Sequence, residues 1–271
     1  MRLFLVRHGE TVDNVAGIYA GTRDSPLTSH GILQAGRLAS HLASLGPAKH
    51  IFSSDLQRAV ETARAIVDAQ PAPLPTAAAA VPQLIQLPEL RERDFGTAEG
   101  KKFGVSLSDA GMETRAGMRK RAESFVQGWL EPLLSEEESE GAVVVVAHGL
   151  ILGELLAVLL ARFGSGLRDP VTAWSNTGYT ELVVEARLSL AEGVEGEGEA
   201  APNESMPPVP PLRRQQQRQI SMSVVGINVV KHLEGLKKTR GGIGSARFDK
   251  RQRTMESFFA PATKKQRSGD T

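Results

Sequence analysis

Short apolar runs alternate with longer amphipathic segments over roughly the first 185 residues of the chain. The predicted strands lie at residues 3–6, 49–53, 83–87, 142–147 and 179–185, and the predicted helices at residues 30–45, 55–66, 114–134 and 150–162. Strands that alternate with helices in this way are typical of parallel sheets covered on both faces. The pattern therefore predicts an α/β fold, a three-layer α/β/α sandwich with a mostly parallel central sheet.

The pattern changes sharply beyond residue 190. Residues 192–204 are acidic and rich in Gly, and residues 205–219 are rich in Pro, Gln and Arg. Such a composition cannot form a packed core and predicts a disordered linker. We therefore divide the chain into a folded N-terminal domain at residues 1–188, a linker at 189–219 and a basic, largely disordered tail at 220–271.

Within the tail, residues 220–236 are apolar enough to form a strand followed by a helix. The pattern does not say what this element does. Docking on the N-terminal domain is one interpretation.

The net charge of +1 hides a strong asymmetry, because residues 205–271 hold 14 Lys and Arg against 4 Asp and Glu. A basic tail favours an acidic partner, weak attraction to nucleic acid or nuclear import, although solvated charge explains it as well. The chain has no cysteine, which excludes disulfides and thiolate catalysis. No apolar run reaches the roughly 18 residues of a membrane span, so we expect a cytoplasmic or nuclear protein.

Two of the predicted strands end in a His-Gly pair. Arg7, His8 and Gly9 follow the first apolar run, and His148 and Gly149 follow the run at 142–147. The carboxyl ends of parallel strands meet at one edge of a sheet, where α/β enzymes bind their ligands. The sequence therefore predicts one site with two histidines.

Four short segments rich in charged and polar residues or glycine occur in order along the chain: Arg7–Thr11, Ser53–Ala59, Leu90–Gly96 and Ala147–Gly149. Together they resemble the histidine phosphatase (phosphoglycerate-mutase-like) superfamily, over about residues 1–186. Residues 99–102 and the general layout are similar to the fructose-2,6-bisphosphatase-like members. The resemblance implies a phosphatase that uses no metal or other cofactor.

The chemistry of the residue types agrees with this resemblance. A neutral imidazole at His8 can attack phosphorus and form a phosphohistidine. The planar guanidinium groups of Arg7 and Arg58 match the oxygens of a phosphoryl group in transfer, and His148 can donate one more hydrogen bond. The resemblance assigns the general acid to Glu92, with Glu89 as the nearby alternative.

The resemblance also implies that Asn14, Gly21 and Thr22 line the phosphate pocket. From the residues alone, Asn14 could equally cap a turn and Gly21 could simply adopt a positive φ.

Three further cations lie near the acid loop. Arg93, Lys101 and Lys102 are candidates to bind a second phosphate or a carboxylate of the substrate, and an exposed surface position explains them equally well.

A mutase must shield its phosphohistidine from water, and mutases of this superfamily carry a long insertion with paired arginines after the acid loop. Only a short stretch without an Arg-Arg pair lies between Gly100 and Gly111. We therefore predict a phosphomonoester hydrolase for small phosphorylated metabolites, with a sugar bisphosphate among the candidates. The alternatives are a phosphoglycerate mutase and a sliding-clamp-binding nuclear protein whose phosphatase site is secondary.

That last alternative comes from residues 252–259, which resemble the PIP box, a peptide that binds the sliding clamp proliferating cell nuclear antigen. Gln252, Met255, Phe258 and Phe259 occupy the positions of the motif. The last three fall on one face of a helical turn and could fill an apolar pocket. A chance match and docking on the catalytic domain are the other interpretations.

Overall fold

The computed structural model describes residues 1–71, 82–104, 111–134, 141–164, 173–190, 216–238 and 242–249. Its strands and helices are β1 (Arg2–Arg7), α1 (Val12–Ala16), α2 (Ser29–Ser44), β2 (Ala48–Ser54), α3 (Gln57–Asp68), β3 (Leu84–Leu87), α4 (Arg115–Phe125), α5 (Glu131–Leu134), β4 (Ala142–Ala147), α6 (Gly149–Phe163), β5 (Tyr179–Leu190) and β6 (Gln216–Val229). A π-helical turn at Val126–Leu130 joins α4 to α5. Short 3-10 turns cover Pro88–Leu90, Gly96–Ala98, Lys231–Leu233 and Ile243–Ser245.

These strands form a mixed six-stranded sheet in the order β3-β2-β4-β1-β5-β6. The neighbours among β1 to β4 pair in parallel, and β5 and β6 are antiparallel to their neighbours. The predicted α/β fold with a largely parallel sheet is confirmed.

Alternate side chains of the central strands face opposite helix layers. Leu3 and Leu5 of β1 belong to the apolar core beneath α4 and α6, whereas Phe4 and Val6 belong to the core beneath α2 and α3. Both faces of β1 are therefore buried, which explains why its sequence is continuously apolar rather than alternating. The result is a three-layer sandwich in which β1 is held between two neighbouring strands and two layers of helices.

The C-terminal residues depart most from the sequence-based division of the chain. β6 begins at Gln216, inside the predicted linker, and pairs with β5 along its length. The following residues pack on α2 and on the segment before it, with bonds from Arg37 to Glu234 and from Phe248 to Leu27. Residues 216–238 and 242–249 therefore continue the catalytic domain, although the sequence analysis assigned them to the linker and the tail.

An edge strand explains this difference. Met222 of β6 is buried, but Val225 and Ile227 are exposed, so the strand lacks the strong apolar signal of a central strand. The interpretation of residues 220–236 as an element docked on the domain agrees with the structure. Residues 252–259, with the motif that resembles a PIP box, lie outside the described residues.

No helix in the described part of the chain has both the length and the apolar character that crossing a membrane requires.

Candidate active site

The two predicted histidines lie side by side at the carboxyl edge of the sheet. Arg7 of β1 is paired with Ala147 of β4, so the residues that follow them, His8 and His148, become neighbours. Their ring centroids are 5.0 Å apart, and both side chains are buried. The sheet register thus brings together two motifs that are about 140 residues apart in sequence.

His8 is held as a neutral imidazole. Its Nδ1 donates to the carbonyl oxygen of Gly9 at 2.7 Å, so the lone pair is on Nε2. Burial lowers the pKa of His8 well below its usual value, and the positive charges of Arg58 and Arg7 lower it further. A neutral ring with a lone pair on Nε2 is the form that can act as a nucleophile.

His148 has the opposite tautomer. Nε of Arg58 donates to Nδ1 of His148 at 3.1 Å, so the remaining proton is on Nε2. Burial and the charge of Arg58 lower the pKa of His148 well below its usual value. Its Nε2 is buried and has no hydrogen-bond partner among the described residues, which leaves it as a donor for a ligand.

The two predicted arginines line the pocket in front of His8. Nη1 and Nη2 of Arg58 donate to the carbonyl oxygens of Arg23 and Gly21, each at 2.7 Å. Burial lowers the pKa of Arg58 to about 10, so the group stays charged at neutral pH. Arg7 donates from Nη1 to the Trp174 carbonyl, and its buried Nε has no partner within the described ranges.

Glu92 lies in the same pocket, at the amino end of α6. Its carboxylate accepts bonds from the backbone N–H groups of Leu150 at 3.2 Å and Ile151 at 3.3 Å. The positive end of the helix dipole stabilises negative charge there. Glu89, the alternative acid, is not among the residues that line the pocket.

Of the other predicted pocket residues, two line it and one does not. Asn14 lines it, and its Oδ1 accepts from Thr11 and Asn176, so its Nδ2 is the group that can donate to a ligand. Asn14 also closes the capping box of α1, so both interpretations of this residue hold.

Gly21 lines the pocket with a positive φ of 55°, and a Cβ there would collide with the Glu99 carboxylate. Thr22 is turned away, because its N–H and Oγ1 both bind Oε1 of Glu99. Thr22 is not among the residues that line the pocket.

The three cations near the acid loop have other surroundings. Arg93 donates to the carbonyl oxygen of Glu113 and lies over the ring of Phe95. Lys101 and Lys102 are exposed. None of the three lines the pocket.

Residues 174–178 have a role in the site that the sequence did not reveal. The N–H of Thr177 donates to the carbonyl oxygens of Arg7 at 3.0 Å and His8 at 3.2 Å. Nδ2 of Asn176 donates to the His8 carbonyl at 3.2 Å. This loop therefore fixes the backbone of the nucleophile, and short polar residues in a loop give no sequence signal for such a task.

The pocket has a volume of about 320 Å³. Its charged members are Arg7, Arg58 and Glu92, and its larger apolar members are Ile18, Tyr19, Phe95, Phe103, Leu150 and Trp174. Within the described ranges, no group of three or more His, Asp or Glu side chains is placed to hold a metal ion.

Comparisons with known proteins agree with this geometry. Residues 3–189 match the model of the histidine phosphatase superfamily, branch 1. A probable phosphatase of Schizosaccharomyces pombe is 29% identical over 94% of this chain and 78% of its own length. An adenosylcobalamin/alpha-ribazole phosphatase of Salmonella typhi is 44% identical over 67% of this chain and 92% of its own length.

Among solved structures, a mycobacterial glucosyl-3-phosphoglycerate phosphatase has a TM-score of 0.56 and 26% identity, covering 68% of this chain and 91% of that one. Other relatives are named probable phosphoglycerate mutases. The match over most of the folded chain, together with the paired histidines, shows that this protein is a phosphatase that belongs to the histidine phosphatase superfamily.

Proposed function

We propose that this protein is a metal-independent phosphomonoester hydrolase that acts through a phosphohistidine on small phosphorylated metabolites. The observation that carries the proposal is the state of His8. It is neutral, its Nδ1–H is fixed by Gly9, and Arg7 and Arg58 line the same pocket. A nucleophilic nitrogen beside two guanidinium groups suits phosphoryl transfer.

In the first step, Nε2 of His8 attacks phosphorus, and the bond between phosphorus and the ester oxygen breaks. The electron pair leaves with that oxygen, which takes a proton from the carboxyl group of Glu92. Arg7 and Arg58 bind the phosphoryl oxygens, with added hydrogen bonds from Nε2 of His148 and Nδ2 of Asn14. The backbone N–H groups that hold Glu92 stabilise the carboxylate that this step produces.

In the second step, the Glu92 carboxylate takes a proton from water, and the resulting hydroxide attacks the phosphohistidine. The bond between phosphorus and nitrogen breaks, its electron pair returns to Nε2, and inorganic phosphate is released. Transfer to a second hydroxyl instead of water would make the protein a phosphoglycerate mutase, which is the alternative activity.

The test is phosphate release from a panel of sugar bisphosphates, phosphoglycerates, nucleotides and phosphopeptides, with excess chelator present. We expect wild type to hydrolyse at least one class, and His8→Ala to lose at least about 10³-fold in kcat, because the covalent route is closed. Intact-mass analysis of quenched wild type should show a phosphoryl adduct that His8→Ala lacks.

Activity that disappears in chelator would refute the metal-independent mechanism. Isomerisation of a phosphoglycerate without net phosphate release would favour the mutase. Thermal unfolding of both proteins shows whether His8→Ala is folded.

We also propose that the tail binds a sliding clamp through Gln252, Met255, Phe258 and Phe259, which would place the enzyme in the nucleus. The support is the sequence motif at residues 252–259. A peptide of residues 246–267 should bind the clamp saturably, and the same peptide with Phe258→Ala and Phe259→Ala should not. Equal binding of both peptides would refute the proposal.

A further inference from the structure

The mouth of the active site is built by two short segments that hydrogen-bond to each other. The N–H of Tyr19 donates to Lys101 and that of Gly100 donates to Tyr19, each at 2.9 Å, and the N–H of Phe103 donates to Gly17 at 2.8 Å. We call residues 17–19 and 100–103 the lip. These backbone bonds hold the two segments against each other, and Ile18, Tyr19 and Phe103 of the lip line the same pocket as His8.

The lip presents aromatic rings to the pocket. The ring of Tyr19 has its centroid 4.7 Å from that of Phe95 and 4.7 Å from that of Phe103, with interplanar angles of 44° and 72°. Phe103 is 55% exposed and Leu150 is 44% exposed, yet both line the pocket. Exposed apolar side chains that converge on one cavity mark a binding surface.

Three charged residues line the pocket within the described part of the chain. Arg7 and Arg58 line it beside His8, and Glu92 lies at the amino end of α6. Arg93, Lys101 and Lys102 are not among the lining residues. A substrate whose phosphate is bound by Arg7 and Arg58 therefore has mainly apolar and aromatic side chains as its other neighbours in the pocket.

We infer that the natural substrates are small monophosphate esters whose alcohol carries a flat aromatic group that stacks against Tyr19 and Phe103. The inference rests on the phosphatase function proposed above and narrows its substrate class away from sugar bisphosphates. A cavity of about 320 Å³ is at the small end of ligand pockets, which suits one ring system attached to a phosphate. The rings contribute through buried apolar area and edge-to-face contacts.

The test compares 2-phenylethyl phosphate with n-propyl phosphate, two esters of primary alcohols that have similar acidity and differ in the aromatic ring. Fructose 1,6-bisphosphate is the third substrate and tests recognition of a second phosphate. We expect kcat/KM for the phenylethyl ester to exceed that for the propyl ester by at least about tenfold. The bisphosphate should be no better than the propyl ester.

Variants of the lip then locate the effect. Phe103→Ala should lower kcat/KM for the phenylethyl ester about five- to tenfold and leave that for the propyl ester within about twofold. Phe103→Leu, which keeps an apolar side chain without the ring, should fall between the two. Leu33→Ala is the matched control, because Leu33 is exposed to a similar extent on α2 and does not line this pocket.

The failures of the two proposals can be told apart. Equal turnover of all three esters, a preference for the bisphosphate, or an equal effect of Phe103→Ala on every substrate would overturn the inference and leave the phosphatase function standing. Absence of turnover with every substrate of both panels would overturn both.

Discussion

Glu92 occupies a position where one side chain serves structure and chemistry together. Its carboxylate accepts N–H groups at the start of α6, and the same group lines the pocket where a leaving oxygen needs a proton. A glutamine can still accept at the helix end, but it cannot donate a proton to an alkoxide.

We therefore expect Glu92→Gln to fold normally and to lower kcat for an alkyl phosphate by about 10²- to 10⁴-fold. The loss in kcat/KM, which reports the formation of the phosphohistidine and not its hydrolysis, should be much smaller for p-nitrophenyl phosphate, since that leaving group departs without a proton. Initial rates with the two substrates check this. Glu89→Gln is the control, and a larger loss in that variant would move the general acid to Glu89.

Burial, together with Arg58 and Arg7, lowers the pKa of His8. A lowered pKa means that the neutral, nucleophilic ring persists as the pH falls, and that protonation occurs only in more acidic solution. An NMR titration of the free enzyme should show the ring signals of His8 unchanged through pH about 6.5, the usual value for histidine. His8→Ala assigns the signal, and a midpoint near pH 6.5 would contradict the prediction.

The site residues that could be predicted from the sequence differ from those that could not in the kind of information that fixes their position. His8 and His148 follow apolar strands directly, and their positions depend only on strand order and register. Asn176 and Thr177 act through backbone carbonyl groups of Arg7 and His8, so their contribution depends on a loop path that no local pattern encodes. The sequence likewise did not show that Thr22 binds Glu99, because that partner is distant in sequence.

At the scale of elements, the carboxyl end of β6 contacts the loop of residues 174–178 through hydrogen bonds. Asn228 has a positive φ of 46°, and its side chain accepts from the N–H of Ser175 at 2.8 Å and donates to the Ser175 hydroxyl at 3.1 Å. Further along the chain, Nε2 of His232 is 3.1 Å from Oγ1 of Thr177. The C-terminal strand thus acts on the loop that fixes the nucleophile.

Asn228→Ala should lower the free energy of unfolding by about 1–3 kcal/mol, because it removes two hydrogen bonds and strains a left-handed backbone. Asn228→Gly loses the same bonds but tolerates the positive φ, so it should cost less. Urea unfolding of both variants separates the two contributions, and phosphate release should decrease several-fold in each. Wild-type stability in Asn228→Ala would contradict this account.

The elements themselves were predictable to different degrees. Central strands such as β1 and β4 and the long helices were evident because both layers of the sandwich require apolar side chains from them. The five-residue α1 is too short for helical periodicity and depends on its capping box. The sequence analysis did not predict the full extent of β6, because an edge strand with one exposed face shows only weak alternation of apolar and polar residues. The surrounding sequence also has a composition that favours disorder.

For the molecule as a whole, the contacts of β6 and of the residues that follow it distinguish two parts of the C-terminal sequence, one before residue 250 and one from residue 250 onward. β6 completes the sheet, and residues up to Asp249 follow it onto the domain, with an ion pair from Lys238 to Glu10 and a backbone bond from Phe248 to Leu27. Deletion of residues 250–271 should leave kcat/KM and the melting temperature unchanged.

Deletion from residue 216 should instead uncover the edge of β5 and the core around Met222, and so yield insoluble or poorly folded protein. Solubility, thermal unfolding and phosphate release of the two shortened proteins check both statements. A fully active protein that ends at residue 215 would show that β6 is dispensable.

The bonds around His8 also determine when the enzyme can become active during its synthesis. The nucleophile is synthesised well before the residues that hold it, because its carbonyl group accepts from Asn176 and Thr177, and Thr177 in turn contacts His232. The central strand β1 can pair only after β4 and β5 have been synthesised, and the catalytic loop gains its contact with His232 only after β6 has been synthesised. Contacts of such long sequence separation form slowly, so the nascent chain exposes the strongly apolar strand β1 until its partners follow. We expect this domain to depend on chaperones during translation.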